Sequence, residues 1–342
     1  MVKNHVNEET EKAWRKLSGL LVGNWTTQTI SAAVKLGVIE ALFNSPMNEA
    51  QVAQVCKLDP EGTKRLLRAL IGLKIVDITD DHKFTLTPMG ELLTKDHEWS
   101  LASSSILWAE EHYIAWQGLP DVIRTGKSSF EQIYGKSFFD WLASYPDKRQ
   151  IYHDSMNCYA HHDYQFIPQL YDFSQHQIIM DVGGGTGGLL KFILEAFPNL
   201  KGILFELPEV HSIARELLSN SDLKDRYKVV SGNFFEELPQ SSDLILLSRV
   251  LHDWNDHQAS TILQRCYEAL PDQGKLLVIE LLLPSDIKSS FGALLNLNML
   301  VVTGGRERTE EDYKQLLSDA GFTFVEIIPT PTVSSIIVAE KV

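Results

Sequence analysis

Two stretches of this 342-residue chain hold side chains whose types and spacing can do chemistry. In MDVGGGTGG, residues 180–188, Gly183, Gly185 and Gly188 satisfy G-x-G-x-x-G directly after the apolar run QIIMDV. Glycines at such a strand-to-helix turn let a ligand approach the backbone. Glu206 closes the next apolar run, KGILFEL, at about the 20-residue spacing where an acidic side chain meets ribose hydroxyls. Together they point to a nucleotide-type cofactor. The second stretch, SRVLHDWNDHQ, follows the apolar DLILL and sets His252 beside Asp253 and Trp254. An imidazole titrates near 6.5, so it can exchange a proton around neutral pH. One reading is a catalytic base over the cofactor. The other is a polar turn in which Asn255 or Asp256 caps the following helix.

The elements that must carry these residues follow from the hydrophobic pattern. After residue 172, QIIMDV, KGILFEL, YKVVSGNF, DLILLSRV and KLLVIELLL read as strands, with LLKFILEAF, VHSIARELLS and TILQRCYEALP as helices between them. The helix DYKQLLSDAGF then precedes FTFVEIIP and SSIIVAEKV, a hairpin around TPT. This alternation predicts an α/β fold with a doubly wound parallel sheet and an antiparallel addition at its C-terminal end. Before residue 172 helical spacing dominates. MNEAQVAQVCKL, DPEGTKRLLRALIGLKIV and KFTLTPMGELL outline a winged helix, with Asn48 and Asp59 as N-caps and Pro60 in the first turn. That outline serves either DNA binding, through Lys64, Arg65 and Arg68, or packing and dimerisation. The expected divisions are a winged-helix domain over 1–100, a helical region over 101–171 and a cofactor-binding domain over 172–342.

The bulk numbers narrow the choice. A net charge of −14 repels a phosphate backbone, so no nucleic-acid partner is expected and the winged helix is read as a dimerisation module. No stretch of about 18 uninterrupted apolar residues occurs and the N-terminal MVKNHVNEETEKAW is polar, so neither a membrane span nor a signal peptide is expected. Three dispersed cysteines, Cys56, Cys158 and Cys266, fit reduced thiols in a cytoplasmic protein and make no zinc spacing. His153, His161, His162 and Asp163 match no tight metal-ligand pattern either, and no metal is expected.

The glycine turn alone does not choose the cofactor. Asp181, just ahead of the glycines, suits the ammonium end of S-adenosylmethionine, and the C-terminal hairpin favours a class I methyltransferase over a nicotinamide dehydrogenase. At this point the chain resembles the small-molecule O-methyltransferases of the caffeate, acetylserotonin and bacterial polyketide-tailoring type. The resemblance rests on YDFSQHQIIMDVGGGTGGLLKFILEAFPNLKGILFELPEV, VSGNFFEELPQSSDLILLSRVLHDWNDHQ and LLNLNMLVVTGGRERTEEDYKQLLSDAGF, and covers nearly the whole chain. It implies S-adenosyl-L-methionine as cofactor, bound by Asp181, Gly183, Gly185 and Glu206. Asn233 and Phe234 would flank the adenine, and Ser248 or Arg249 would lie near the carboxylate. His252 stands where the family keeps its general base, with Glu280 and Glu307 as the acids that bracket it. Trp108, Met156, Asn298 and Met299 are candidate acceptor contacts, with Trp116, Phe138 and Phe139 as further apolar wall. Asn233 and Asn296 replace aspartates common in relatives.

The resemblance therefore implies a homodimeric enzyme that methylates a hydroxyl of a small aromatic or polyketide-like metabolite. In-line displacement at a methyl carbon depends on alignment, and a phenol near pKa 10 needs a base as the bond forms. The alternatives are a tailoring enzyme that binds S-adenosylmethionine without spending its methyl group, which loss of the base would favour, and a winged-helix DNA-binding regulator.

Overall fold

The computed structural model describes residues 7–219, 223–284 and 290–342; residues 1–6 of the polar N-terminal stretch lie outside them. The chain divides into two compact units, Met1–Glu111 and His112–Val342. In the first, helices Glu8–Leu21, Gly23–Lys35, Val38–Asn44, Glu49–Cys56 and Pro60–Gly72 lead into an antiparallel hairpin of β1 (Val76–Ile78) and β2 (Phe84–Leu86). The caps are those the sequence signals. Asn48 and Gln51 form a capping box, and Asp59 accepts from the Gly62 N–H while Pro60 opens its helix. Val38, Ile39, Leu42, Val52, Leu67 and Leu70 close the core. On the last helix, Arg65 pairs with Glu61 at 2.9 Å and Lys64 with Glu49 at 4.0 Å, so acids offset the basic face that a DNA-binding reading needs. The helix Glu8–Leu21 buries none of its side chains.

In the second unit, β3 (Ile178–Val182), β4 (Lys201–Glu206), β5 (Tyr227–Ser231), β6 (Leu244–Ser248), β7 (Lys275–Leu283), β9 (Phe322–Pro329) and β10 (Ser334–Lys341) lie in the order β5-β4-β3-β6-β7-β10-β9. The pairs from β5 to β7 are parallel, and β10 runs antiparallel to both β7 and β9. A two-residue strand, β8 (Arg308–Thr309), extends β7 in parallel. This is the doubly wound sheet with an antiparallel C-terminal hairpin that the sequence predicts. Apolar residues fill the central strands because both sheet faces are covered.

The period of two sorts those residues between two cores. Met180, Val182, Ile245, Leu247, Leu276 and Val278 face helices Asp256–Ala269 and Glu310–Asp319. Ile179, Leu244, Leu246, Leu277 and Ile279 face helix Gly188–Ala196 and Tyr164 of helix Pro146–Tyr164. By the same parity Glu280 belongs to the first face, and Asp181 and Ser248 to the second. A separate aromatic cluster of Phe130, Phe138 and Trp141 packs with Val301 and Val302, and Ser128 Oγ donates to both valine carbonyls. It sets the helices of 119–144 against helix Ser290–Val302.

Candidate active site

The carboxyl ends of the parallel strands converge on one edge, the place where doubly wound sheets bind ligands. There β3 ends near Asp181, β4 at Glu206 and β6 at Ser248, while Glu280 stands in β7 one position past Ile279, the partner of Ser248. The turn after β3 is drawn tight against β4: the Gly183 N–H donates to the Phe205 carbonyl and the Gly185 N–H to Glu206 Oε2 at 2.9 Å. Glu206 Oε1 accepts from the Leu207 N–H at 2.7 Å. An added Cβ at Gly184 would lie 2.4 Å from the Asp181 carboxyl and 2.6 Å from Leu204 Cδ1, so the turn requires glycine to sit directly on Asp181.

That carboxyl is the site's most telling group. Both its oxygens are buried without a hydrogen-bond partner, an arrangement that costs free energy unless a ligand completes it. Burial, then the nearby negative charge of Glu206, pushes Asp181 up to about 7. Burial likewise lifts Glu206 to about 7 against the two backbone N–H bonds that lower it. Two buried acids with an unpartnered carboxyl between them suit a cationic group such as the ammonium of S-adenosylmethionine better than a pyrophosphate.

Helix Pro146–Tyr164 supplies contacts that the sequence did not flag. Asn157 accepts from Thr186 Oγ1 of the glycine turn at 2.5 Å, and Tyr164 from Ser248 Oγ at 2.7 Å. Arg249 lies 3.9 Å from the buried Asp163 and over the Tyr159 ring. Its backbone has φ 55, a left-handed conformation uncommon for any residue with a Cβ and often found at functional sites. Asn233 is exposed and turns its side chain onto the Phe235 N–H, while Phe234 stands half-buried beside Trp254.

His252 sits in a short 3-10 turn, Leu251–Asp253, immediately after β6, and is 6 % exposed. Its Nδ1 lies 2.8 Å from Glu307 Oε1 and 3.5 Å from Glu280 Oε2. Glu280 Oε1 accepts the backbone N–H groups of Val250 and Leu251, each at 2.9 Å, and of His252 at 3.4 Å, so one carboxylate holds both the turn and the ring's electrostatics. Burial lowers the His252 pKa, but the negative charges of Glu280, Glu307 and Asp253, with the Glu307 hydrogen bond, outweigh it and raise it to about 10. Burial pushes Glu280 up to about 7. Ligand-capable atoms of His252, Glu280 and Glu307 lie within 4.8 Å of one another, the shortest contact being His252 Nδ1 to Glu307 Oε1.

Of the two candidate caps the structure uses Asn255, which accepts from the Gln258 N–H. Asp253 is raised to about 6 by burial, with its Oδ2 3.9 Å from His252 Nε2. Arg306 and Arg308, on either side of Glu307, both pair with Asp256. Asn296, noted only as a departure from relatives, accepts the Glu307 N–H at 2.9 Å.

The acceptor candidates fall in different places. Asn298 is buried and accepts from Trp116 Nε1 at 2.9 Å, Met299 is buried beside it, and Met156 is half-buried on helix Pro146–Tyr164. Phe139 stacks on Trp254, and Phe138 packs edge-on against Phe130 and Tyr152. Trp108 is half-buried at the end of helix Ala102–Leu107 in the first unit. His153 is buried and lowered to about 4 by desolvation and then by Arg149, which keeps it neutral.

Residues 116–323 match the family described as the O-methyltransferase domain, and residues 19–96 match the O-methyltransferase dimerisation domain. The chain is 36 % identical to a 3-amino-4-hydroxybenzoate 4-O-methyltransferase of Streptomyces cremeus over 94 % of this chain and 88 % of that protein. It is 33 % identical to a phenazine O-methyltransferase of Lysobacter antibioticus over 94 % of this chain and 95 % of that protein. Among solved structures, human N-acetylserotonin methyltransferase in complex with S-adenosylmethionine aligns with a TM-score of 0.89 at 29 % identity, covering 99 % of each chain.

Proposed function

The chain belongs to the O-methyltransferase family and is an S-adenosylmethionine-dependent O-methyltransferase; from that premise we propose that His252 is its general base and that the acceptor is a flat phenol. The observation that carries the proposal is the buried contact of His252 Nδ1 with Glu307 at 2.8 Å, backed by Glu280. A proton shared along that contact fixes the tautomer and leaves the Nε2 lone pair to take up a hydroxyl proton. Glu280 and Glu307 stabilise the imidazolium that forms. Their combined charge raises His252 to about 10 against the effect of burial, so the pair of acids favours the imidazolium that forms as the hydroxyl gives up its proton.

S-adenosylmethionine, when bound, supplies an electrophilic methyl carbon. Asp181 and Glu206 would hold its ammonium and ribose ends, Phe234 and Asn233 its adenine, and Ser248 or Arg249 its carboxylate. Phe139, Trp254, Met156 and Met299 would form apolar wall for the acceptor ring, in keeping with benzoate and phenazine in the names of two relatives. We also propose that the chain works as a homodimer through the exposed face of helix Glu8–Leu21, where Trp14, Leu17, Leu20 and Leu21 are all more than half exposed.

The test is transfer of a labelled methyl group from S-adenosylmethionine to a panel of phenols, catechols and hydroxyindoles by the wild type and by His252→Ala. Transfer to at least one phenol that collapses in His252→Ala is expected. Unimpaired transfer by the variant to an un-ionised phenol contradicts the base assignment.

A further inference from the structure

The segment GGRERT, residues 304–309, contains a second side chain that bears on His252. Arg308 is fully buried. Its Nη1 donates to the Leu251 carbonyl at 2.7 Å and its Nη2 to the Trp254 carbonyl at 2.8 Å. Nε and Nη2 also meet Asp256 Oδ1 at 3.0 and 2.9 Å. These acceptors bracket His252, one residue before it and two and four residues after it. The guanidinium therefore spans the whole turn on which the imidazole rides.

The neighbours of Arg308 grip the same turn. The Arg306 N–H donates to the His252 carbonyl at 2.8 Å, and Glu307 takes the ring. Pairing of Arg308 with Leu282 in the β7–β8 ladder ties the segment to the strand that carries Glu280. Arg308 makes no hydrogen bond or ion pair with Glu280 or Glu307 among the described contacts, and its counter-ion is Asp256. Its work is thus geometric rather than the neutralisation of the two acids.

We propose that Arg308 is a positioning residue for methyl transfer: its planar fork locks the 251–256 turn against β8, so that His252 and Glu307 meet in one register. The proposal rests on the reading of His252 as the base. A lysine cannot replace it, because an ammonium is a point charge that does not span separated acceptors in a fixed plane. Displacement of a catalytic group by about 1 Å can cost about 100-fold in rate.

The experiment compares Arg308→Lys, Asp256→Asn, Glu307→Gln and the Arg308→Lys/Glu307→Gln double variant. Readouts are kcat, KM and their pH profiles, with S-adenosylhomocysteine affinity measured by calorimetry. Arg308→Lys is expected to lower kcat about 10- to 100-fold and to move the acidic limb of the profile to lower pH, because Glu307 loses its hold on the ring. The affinity for S-adenosylhomocysteine should stay within about threefold. The double variant should be no slower than Glu307→Gln alone, the mark of two residues acting through one contact. Asp256→Asn, at a half-exposed position, should show the same limb shift with a smaller loss, and decides the matter if Arg308→Lys does not fold. Losses that multiply in the double variant, or a limb that stays in place in the single variants, overturn the proposal. His252→Ala, run alongside on an un-ionised phenol, separates the two ideas: if it retains wild-type transfer the base reading fails, and if it is inactive while the losses multiply only the positioning role fails.

Discussion

Burial by itself would hold His252 neutral; three carboxylates reverse that and raise it to about 10. The sign of the pH dependence follows. The base must be unprotonated to act, so kcat/KM should climb as pH rises through the titration of His252. Glu280→Gln removes one negative charge but keeps an amide oxygen for the turn's N–H groups. Its acidic limb should therefore move to lower pH, by about 1–3 units for a charge at this range; a limb that stays or moves up would show that Glu280 does not act on the ring. Asn296 belongs to the same balance. It accepts the Glu307 N–H as an aspartate would, yet adds no further negative charge beside an already acidic cluster. Residue identities made His252, Glu280 and Glu307 legible as a set only through the family resemblance. That Glu307 and not Arg308 meets the ring follows from where the segment pairs with β7, at Arg308 and Thr309, and not from local sequence.

At the scale of elements, the strands were readable because the period of two and the near-continuous apolar runs coincide, and the helix starts because Asn48, Asp59 and Asn255 cap them. Helix Pro146–Tyr164 was harder to place. Its buried positions are His153, Ser155, Asp163 and Tyr164, mostly polar side chains, so no apolar stripe announces which side packs inward. The close approach of GGRERT to the His252 turn was also invisible in sequence. An added Cβ at Gly305 would lie 2.1 Å from the His252 carbonyl oxygen and 2.5 Å from the Asp253 carbonyl carbon. Gly305→Ala must push the two segments apart. Urea titration should register a loss of about 1–3 kcal/mol, as for other overpacked contacts, together with a fall in kcat. Wild-type stability and turnover would mean that the segments are not in contact in solution.

For the whole molecule, the first unit matches a dimerisation domain, and Lys64 and Arg65 of its winged-helix outline are paired with Glu49 and Glu61. The exposed apolar face of helix Glu8–Leu21 is of the kind that marks an association surface. Sedimentation should give twice the chain mass for the wild type and the chain mass for Leu17→Glu/Leu21→Glu; a wild type that sediments as a single chain would remove the dimer. The central claim, that this sheet edge presents His252 as the base for a phenolic hydroxyl, is tested most directly by the dependence of kcat on acceptor acidity. Phenols of graded pKa are compared in the wild type and in His252→Ala at one pH. On a phenol of pKa about 10 the variant should lose about 10²–10⁴-fold, the usual worth of a general base, while on a nitrophenol already ionised in the assay it should approach the wild-type rate. An equal loss on both acceptors, or no loss on either, would contradict the account.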